Sequence, residues 1–269
     1  MKNQKKMSNK NITVVIPVHE LNEDTTATLR RAVDSVVNQK VHPEVLMIVG
    51  PESVKADYDT AISGLVLPKD MELTFVVNPG DTDFASQMNY AAEKLTTSHL
   101  CLLEYDDELT PIWIDNVKKY MAEHTQIDMF LPIIVDLTAK GEYIGFSNEP
   151  VWANEFSEKL GEIDNATTLR YSNFNIDGMV ISKEKYQEFG GLKPSMKLVF
   201  PYEFLLRVTN FSGRVMVIPK LGYKHAVMRE GSLFDTYAKD MSADERRWWV
   251  ALAKKEYFHT NDRKIKYEE

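Results

Sequence analysis

Ile12-Thr13-Val14-Val15-Ile16-Pro17 is the first run of the chain that reads as a single element. It is almost wholly apolar and largely β-branched, as a strand covered on both faces must be. Downstream, residues 23–38 carry Leu29, Ala32, Val33, Val36 and Val37 at helical spacing, which predicts a helix. Further short apolar runs predict strands over 45–49, 73–77 and 100–103, with helices over about 53–64 and 84–95 between them. Strand and helix in strict alternation specify βαβ units, and hence an α/β protein with a mostly parallel sheet.

The composition fits one such domain. The chain has 269 residues, 43% hydrophobic and 27% charged, which is the make-up of a globular protein rather than a disordered or repetitive one. A net charge of −8 argues against a nucleic-acid backbone as main partner, since that is bound largely through Lys and Arg. The single Cys101 lies in an apolar run, so no disulfide within the chain and no cysteine-rich metal site is expected. Apolar stretches such as 129–135 are far shorter than the roughly 18–20 residues a bilayer requires. Residues 1–10 are rich in Lys and Asn without an apolar segment and read as neither signal peptide nor anchor, so a cytoplasmic location is expected.

In open α/β sheets ligands gather beyond the carboxyl ends of the strands. The segments to read for chemistry are therefore His19-Glu20, Gly50 to Ser53, Asn78 to Asp83 and Glu104 to Glu108. The last is the most informative: Leu100-Cys101-Leu102-Leu103 runs directly into Glu104, Asp106, Asp107 and Glu108. So much like charge after a buried strand calls for a cation, and hard divalent ions are held by one or two carboxylates together with substrate phosphates. A solvated acidic turn ahead of the next helix is the competing reading.

With these residues in view the chain resembles the family 2 glycosyltransferases. Residues 12–18 resemble the family's opening strand, Asn89 stands where its Arg-Asn pair begins the third helix, and Leu103-Glu104-Tyr105-Asp106-Asp107 resembles its Leu-Asp-x-Asp-Asp metal motif. Phe189-Gly190-Gly191-Leu192 resembles the turn of its acceptor region, and residues 202–207 its acidic helix ending in Leu-Arg. Tyr223-Lys224-His225 with Gly231-Ser232 resembles its closing segment. The matches keep the family's order from about residue 12 to 232.

The resemblance implies a GT-A fold, a Rossmann-like mostly parallel sheet with an elaborated C-terminal acceptor region. It also implies transfer of a sugar, with inversion, from a nucleotide-diphosphate donor, a UDP-sugar being favoured, to an unknown acceptor hydroxyl. It divides the chain into a basic arm (1–11), a nucleotide-sugar-binding half (12–109), an acceptor-binding half (110–241) and a C-terminal helix and tail (242–269). Mn2+ or Mg2+ is the expected cofactor, with Asp106, Asp107 and His225 as its ligands. Pro17, Val18, Glu20, Glu52, Asp81, Gln87, Glu104 and Tyr105 are expected around the donor. Glu203 is expected as the base that inversion needs, and a simple ion pair from Glu203 to Arg207 one turn on is the alternative. Trp152 and Gly191 are expected at an acceptor, which the sequence leaves open among a glycan, a lipid-linked sugar, a protein and a modified base. Oligomeric state is likewise open.

The departures are specific. Gly50-Pro51-Glu52-Ser53 replaces the family's Asp-Asp-Gly-Ser, Met88 the arginine of its Arg-Asn pair, Asp83 a glycine and Glu104 an aspartate, while Phe200 and Pro201 occupy the place of its base. These changes keep a second possibility open, a GT-A module that binds nucleotide-sugars without turning them over. A nucleotidyltransferase is disfavoured because Val18 to Glu23 holds no glycine to cradle a triphosphate.

Overall fold

The computed structural model describes residues 11–21, 23–138, 140–149, 161–227 and 239–262. Four parallel strands form its first part: β1 (Ile12–Pro17), β2 (Val45–Gly50), β3 (Glu72–Val77) and β4 (His99–Leu102). Between them run α1 (Glu23–Val37), a 3-10 turn (Glu52–Val54) leading into α2 (Lys55–Ala61), and α3 (Phe84–Lys94). The chain continues through β5 (Glu108–Leu109), α4 (Trp113–Glu123), β6 (Met129–Leu137), β7 (Tyr143–Ser147) and β8 (Glu162–Ile163). It ends with α5 (Asn165–Arg170), β9 (Val180–Ser182), α6 (Lys183–Glu188), a 3-10 turn (Pro194–Val199), α7 (Phe200–Asn210), β10 (Val215–Ala226) and α8 (Ala243–Asp262).

Among the described residues, all ten strands join one sheet with the path β3-β2-β1-β4-β9-β6-β10-β5, with β7 on β6 and β8 on β10. This is the expected α/β sheet, and it runs unbroken through both halves of the chain. Side chains alternate across it as the pleat demands. Val15, Met47, Val49, Leu100 and Leu102 enter one core with α3, α6 and α7, whereas Val14, Ile16, Leu46, Ile48 and Cys101 enter the other with α1, α2 and α4. That is why β1, β2 and β4 carry no polar face.

Residues 140–177, which show no clear period, contain β7, β8 and α5. The last strand is long: β10 crosses two register shifts beside β6 and reaches Ala226. Asp83, the replacement for a family glycine, caps α3 by accepting the Ser86 amide at 3.0 Å. Ser242 does the same for α8 from Glu245 at 3.1 Å. On α8, Trp249 lies beneath the ammonium of Lys197, whereas Trp248 is exposed. Among the described residues no helix is long and apolar enough to cross a membrane.

Gly178 shows how tightly the middle of the molecule is built. Its φ is +73°, and a Cβ there would lie 2.8 Å from Pro132 and 2.9 Å from Tyr223. Gly64 has a similar φ of +69° but open space around it. Gly178→Ala is expected to cost about 2–3 kcal/mol of unfolding free energy, and Gly64→Ala only about 1 kcal/mol of backbone strain. Equal losses for the two variants in denaturant titrations would show that the close approach is not what demands glycine.

Candidate active site

Beyond the carboxyl end of β4 the chain turns sharply, the Asp107 amide donating to the Glu104 carbonyl at 3.2 Å. Tyr223 on β10 straps this turn: its buried hydroxyl accepts the Glu104 amide at 3.0 Å and donates to Asp107 Oδ2 at 2.8 Å. The Ala226 amide donates to Asp107 Oδ1 at 2.7 Å. Both oxygens of Asp107 are thereby oriented by β10, a strand more than a hundred residues away in the sequence.

Two more elements bring further carboxylates. Asp177 precedes Gly178 on the approach to β9, in a loop held by Asn148, whose Nδ2 donates to the Asn175 carbonyl at 2.8 Å and whose Oδ1 accepts the Asn175 amide at 2.7 Å. The Asn175 side chain in turn bonds Asp177. On β6, Asp136 accepts from Ser147 Oγ at 2.7 Å and pairs with His225 Nδ1 at 3.0 Å.

The result is a cleft of about 570 Å³ into which Glu104, Asp106, Asp107, Asp136, Asp177 and His225 all face. Its remaining wall includes Ser147, Ser172, Asn173, Phe174, Asn175, Leu198, Val199, Tyr202 and Val250. Burial, with repulsion from Asp177, Asp107 and Asp106, holds the Glu104 carboxyl well above the usual carboxylate range. Burial pushes Asp107 up to about 8 despite the nearby imidazole, and it raises Asp177 too. For His225 burial works against the charged ring, but the bond to Asp136 and the charges of Asp177 and Asp107 outweigh it and push the pKa up to about 9.

This donor chemistry fits a hard divalent cation. Ligand atoms of Glu104, Asp106 and Asp107 lie within 4.8 Å of one another, as do those of Asp107, Asp177 and His225. Carboxylate oxygens with one imidazole suit Mg2+ or Mn2+, and the mutual repulsion within the cluster is what such an ion relieves.

The cleft thus gathers Glu104, Asp106, Asp107 and His225 from among the expected residues. Others are placed elsewhere. Gln87, expected at the donor, is fully buried: its Nε2 donates to the Val18 carbonyl at 3.1 Å and its Oε1 accepts from Asn78 at 3.2 Å, so it ties α3 to β1. Pro17 and Val18 are buried at the end of β1. Glu20, Glu52 and Asp81 are exposed near the ends of β1, β2 and β3, outside the cleft lining. Tyr105 is buried edge-on against His19, with ring centres 5.7 Å apart. Gly191, expected at the acceptor, is buried against Asn89, whose Oδ1 accepts from both the Tyr186 hydroxyl and the Leu192 amide. Trp152 lies outside the described residues.

Glu203 is the main correction. It is 0% exposed, and its two oxygens accept from Arg207 at 2.9 and 2.8 Å, with Lys193 Nζ at 3.2 Å from Oε1. A carboxylate so committed anchors α7 and is not presented to the cleft, which Pro201 and Tyr202 line instead. Asp136 and Asp177 went unread in the sequence. Asp136, at the carboxyl end of the apolar run of β6, is where the rule that ligands collect at strand ends points, whereas Asp177 precedes β9 and carries no such signal.

Residues 13–182 match the glycosyl transferase family 2 profile. The fold is also shared with solved GT-A structures. The 1–349 fragment of Staphylococcus aureus TarS aligns at a TM-score of 0.58 and 12% identity, over 80% of this chain and 60% of that one. The same fragment in complex with UDP-GlcNAc aligns at 0.58 and 12%, over 84% and 61%. The mannosyltransferase PcManGT of Pyrobaculum calidifontis, in complex with GDP-Man and Mn2+, aligns at 0.58 and 13%, over 87% and 65%. The chain spans about three fifths of the length of these relatives. No curated protein sequence matches it. The architecture is therefore of the GT-A class. The chain belongs to glycosyl transferase family 2.

Two outcomes follow from the geometry. Glu203→Gln leaves Arg207 buried without its anionic partner and is expected to cost about 3–5 kcal/mol of stability; a variant that melts like the parent protein but loses activity would restore Glu203 as the base. Asp107 and His225 both bind protons more tightly folded than unfolded. Their contribution to stability is therefore lost as pH rises, between about pH 4 and about pH 9. A divalent ion held by the cluster would take the place of those protons, so the rise in melting temperature on adding Mg2+ is expected to grow with pH. A rise that is independent of pH, or shrinks with it, would contradict the cluster as the binding place.

Proposed function

We propose that this protein is a metal-assisted, inverting glycosyltransferase that takes a nucleotide-diphosphate sugar, preferentially a UDP-sugar, and passes the sugar to an acceptor hydroxyl in the cytoplasm. The observation that carries this reading is the meeting of Glu104, Asp106, Asp107, Asp136, Asp177 and His225 in one cleft of a family 2 fold. The relatives bound to UDP-GlcNAc, or to GDP-Man and Mn2+, support a donor of this class.

In this reading Asp106 is the principal metal ligand and Glu104 a lengthened partner, while Asp107, oriented by Tyr223 and the Ala226 amide, completes the turn. A bound Mn2+ or Mg2+ would supply charge neutralisation for the departing diphosphate. Asp136 holds the ring of His225 through Nδ1, which fixes how the imidazole meets the cluster. Glu20, Glu52 and Asp81, exposed near the ends of β1, β2 and β3, are the proposed contacts to the nucleoside. With Glu203 bound to Arg207, the proton of the acceptor hydroxyl passes to a cleft carboxylate outside the β4 turn, Asp136 or Asp177.

Asp106→Asn is expected to lower sugar transfer from UDP-sugars by roughly a hundredfold or more with the fold intact. Asp136→Asn and Asp177→Asn separate the two candidate bases, the true one losing kcat with little change in donor KM. Full transfer by Asp106→Asn would end this reading. One observation favours a silent module instead: α7 presents Pro201, not a carboxylate, where the family carries its base. Tight binding of UDP or GDP with Mn2+, without transfer or slow donor hydrolysis, would decide for that alternative.

A further inference from the structure

The end of β7 reaches two of the groups that face the cleft, each through one intermediate. Ser147 Oγ donates to Asp136 Oδ2 at 2.7 Å, and Asp136 Oδ1 meets His225 Nδ1 at 3.0 Å. The next residue, Asn148, is 1% exposed and has a φ of +59°, in the left-handed region that asparagine tolerates better than most residues. Its Nδ2 donates to the Pro132 carbonyl at 3.1 Å and to the Asn175 carbonyl at 2.8 Å, and its Oδ1 accepts the Asn175 amide at 2.7 Å. Asn175 Nδ2 then donates to Asp177.

Glycine would meet the backbone demand at 148, so the turn alone does not call for this amide. What the amide does is hold residues 171–177, a stretch with no helix or strand of its own, to β7 and, through Pro132, to β6. Asp177 and His225 are two of the three residues, with Asp107, whose ligand atoms lie within 4.8 Å of one another. Adjacent residues on one strand end thus orient two members of that group from behind, as the outer partners of metal ligands do. We propose that Ser147 and Asn148 are positioning residues that set where His225 and Asp177 stand around a divalent cation in the cleft, Ser147 acting through Asp136 and Asn148 through Asn175. This rests on the metal-assisted reading given above.

The test is Mn2+ binding to the full chain, followed by loss of the electron paramagnetic resonance signal of the free ion, a readout that involves neither sugar nor turnover. Asn148→Gly keeps the left-handed φ and removes the amide; it is expected to weaken Mn2+ binding roughly tenfold or more, and Ser147→Ala severalfold. In an Asp177→Asn chain, Asn148→Gly is expected to have no further effect, because it acts through that carboxylate, whereas general loosening of the fold would add to the loss. Gln39→Ala removes a comparably buried amide with three hydrogen bonds, outside the cleft lining, and is expected to leave Mn2+ affinity unchanged. Asn175→Ala cuts the same link nearer to Asp177 and takes the place of Asn148→Gly if that variant does not fold. A parent chain that binds no Mn2+ ends the metal-assisted reading and this proposal with it. Where the parent binds, this proposal alone is overturned by unchanged affinity in Ser147→Ala or Asn148→Gly, by an effect that adds to that of Asp177→Asn, or by an equal loss in Gln39→Ala.

Discussion

Like charge held out of water is the constraint around which this molecule is organised. Asp107 and Asp177 are almost wholly buried, Asp106 and Glu104 lie beside them, and nothing in β4 itself keeps these groups together. What does so is β10. Tyr223 reaches under the turn to accept the Glu104 amide and donate to Asp107, the Ala226 amide takes the other Asp107 oxygen, and His225 faces the cluster from the same strand. Buried carboxylates tolerate such crowding only when their oxygens are met by donors, protons or a cation.

Close packing behind the turn gives this arrangement its rigidity. Trp113 donates its indole N–H to the Gly178 carbonyl at 3.0 Å and lies where a side chain on Gly222 would otherwise stand. Gly178 lets Pro132 and Tyr223 approach the loop that carries Asp177. The tyrosine that orients Asp107 and the loop that supplies Asp177 are therefore packed against the same few residues. A shift of one is felt by the other, because such an interior has little room to relax.

Around α7 charge is used differently. Glu203 and Arg207 form a buried ion pair, joined by the half-buried Lys193, and Arg207 fastens α7 to the Phe189 carbonyl before the turn at Gly190 and Gly191, while Asn89 fastens that turn to α3. The carboxylate of α7 is thereby committed to holding the fold.

Periodicity and strand-end chemistry made β1 to β4, the helices beside them and the acidic turn legible, because each is a local pattern: apolar runs that alternate between two cores, followed at once by charge. Asp106 could be read from its neighbours for the same reason. The roles of Gln87, Gly191 and Glu203 could not, because a buried amide, a tight turn and a two-oxygen ion pair are defined by partners scores of residues away or by burial that spacing does not encode. Asp136 and Asp177 joined the site only when the crossing of β6, β9 and β10 brought them to the end of β4. The sequence by itself determined the sheet, its order of elements and the presence of a charged edge, since these follow from contacts between near neighbours. Only the tertiary structure decided which carboxylates share the cleft and which are spent on holding the fold, since that depends on long-range packing and on which oxygens find a donor.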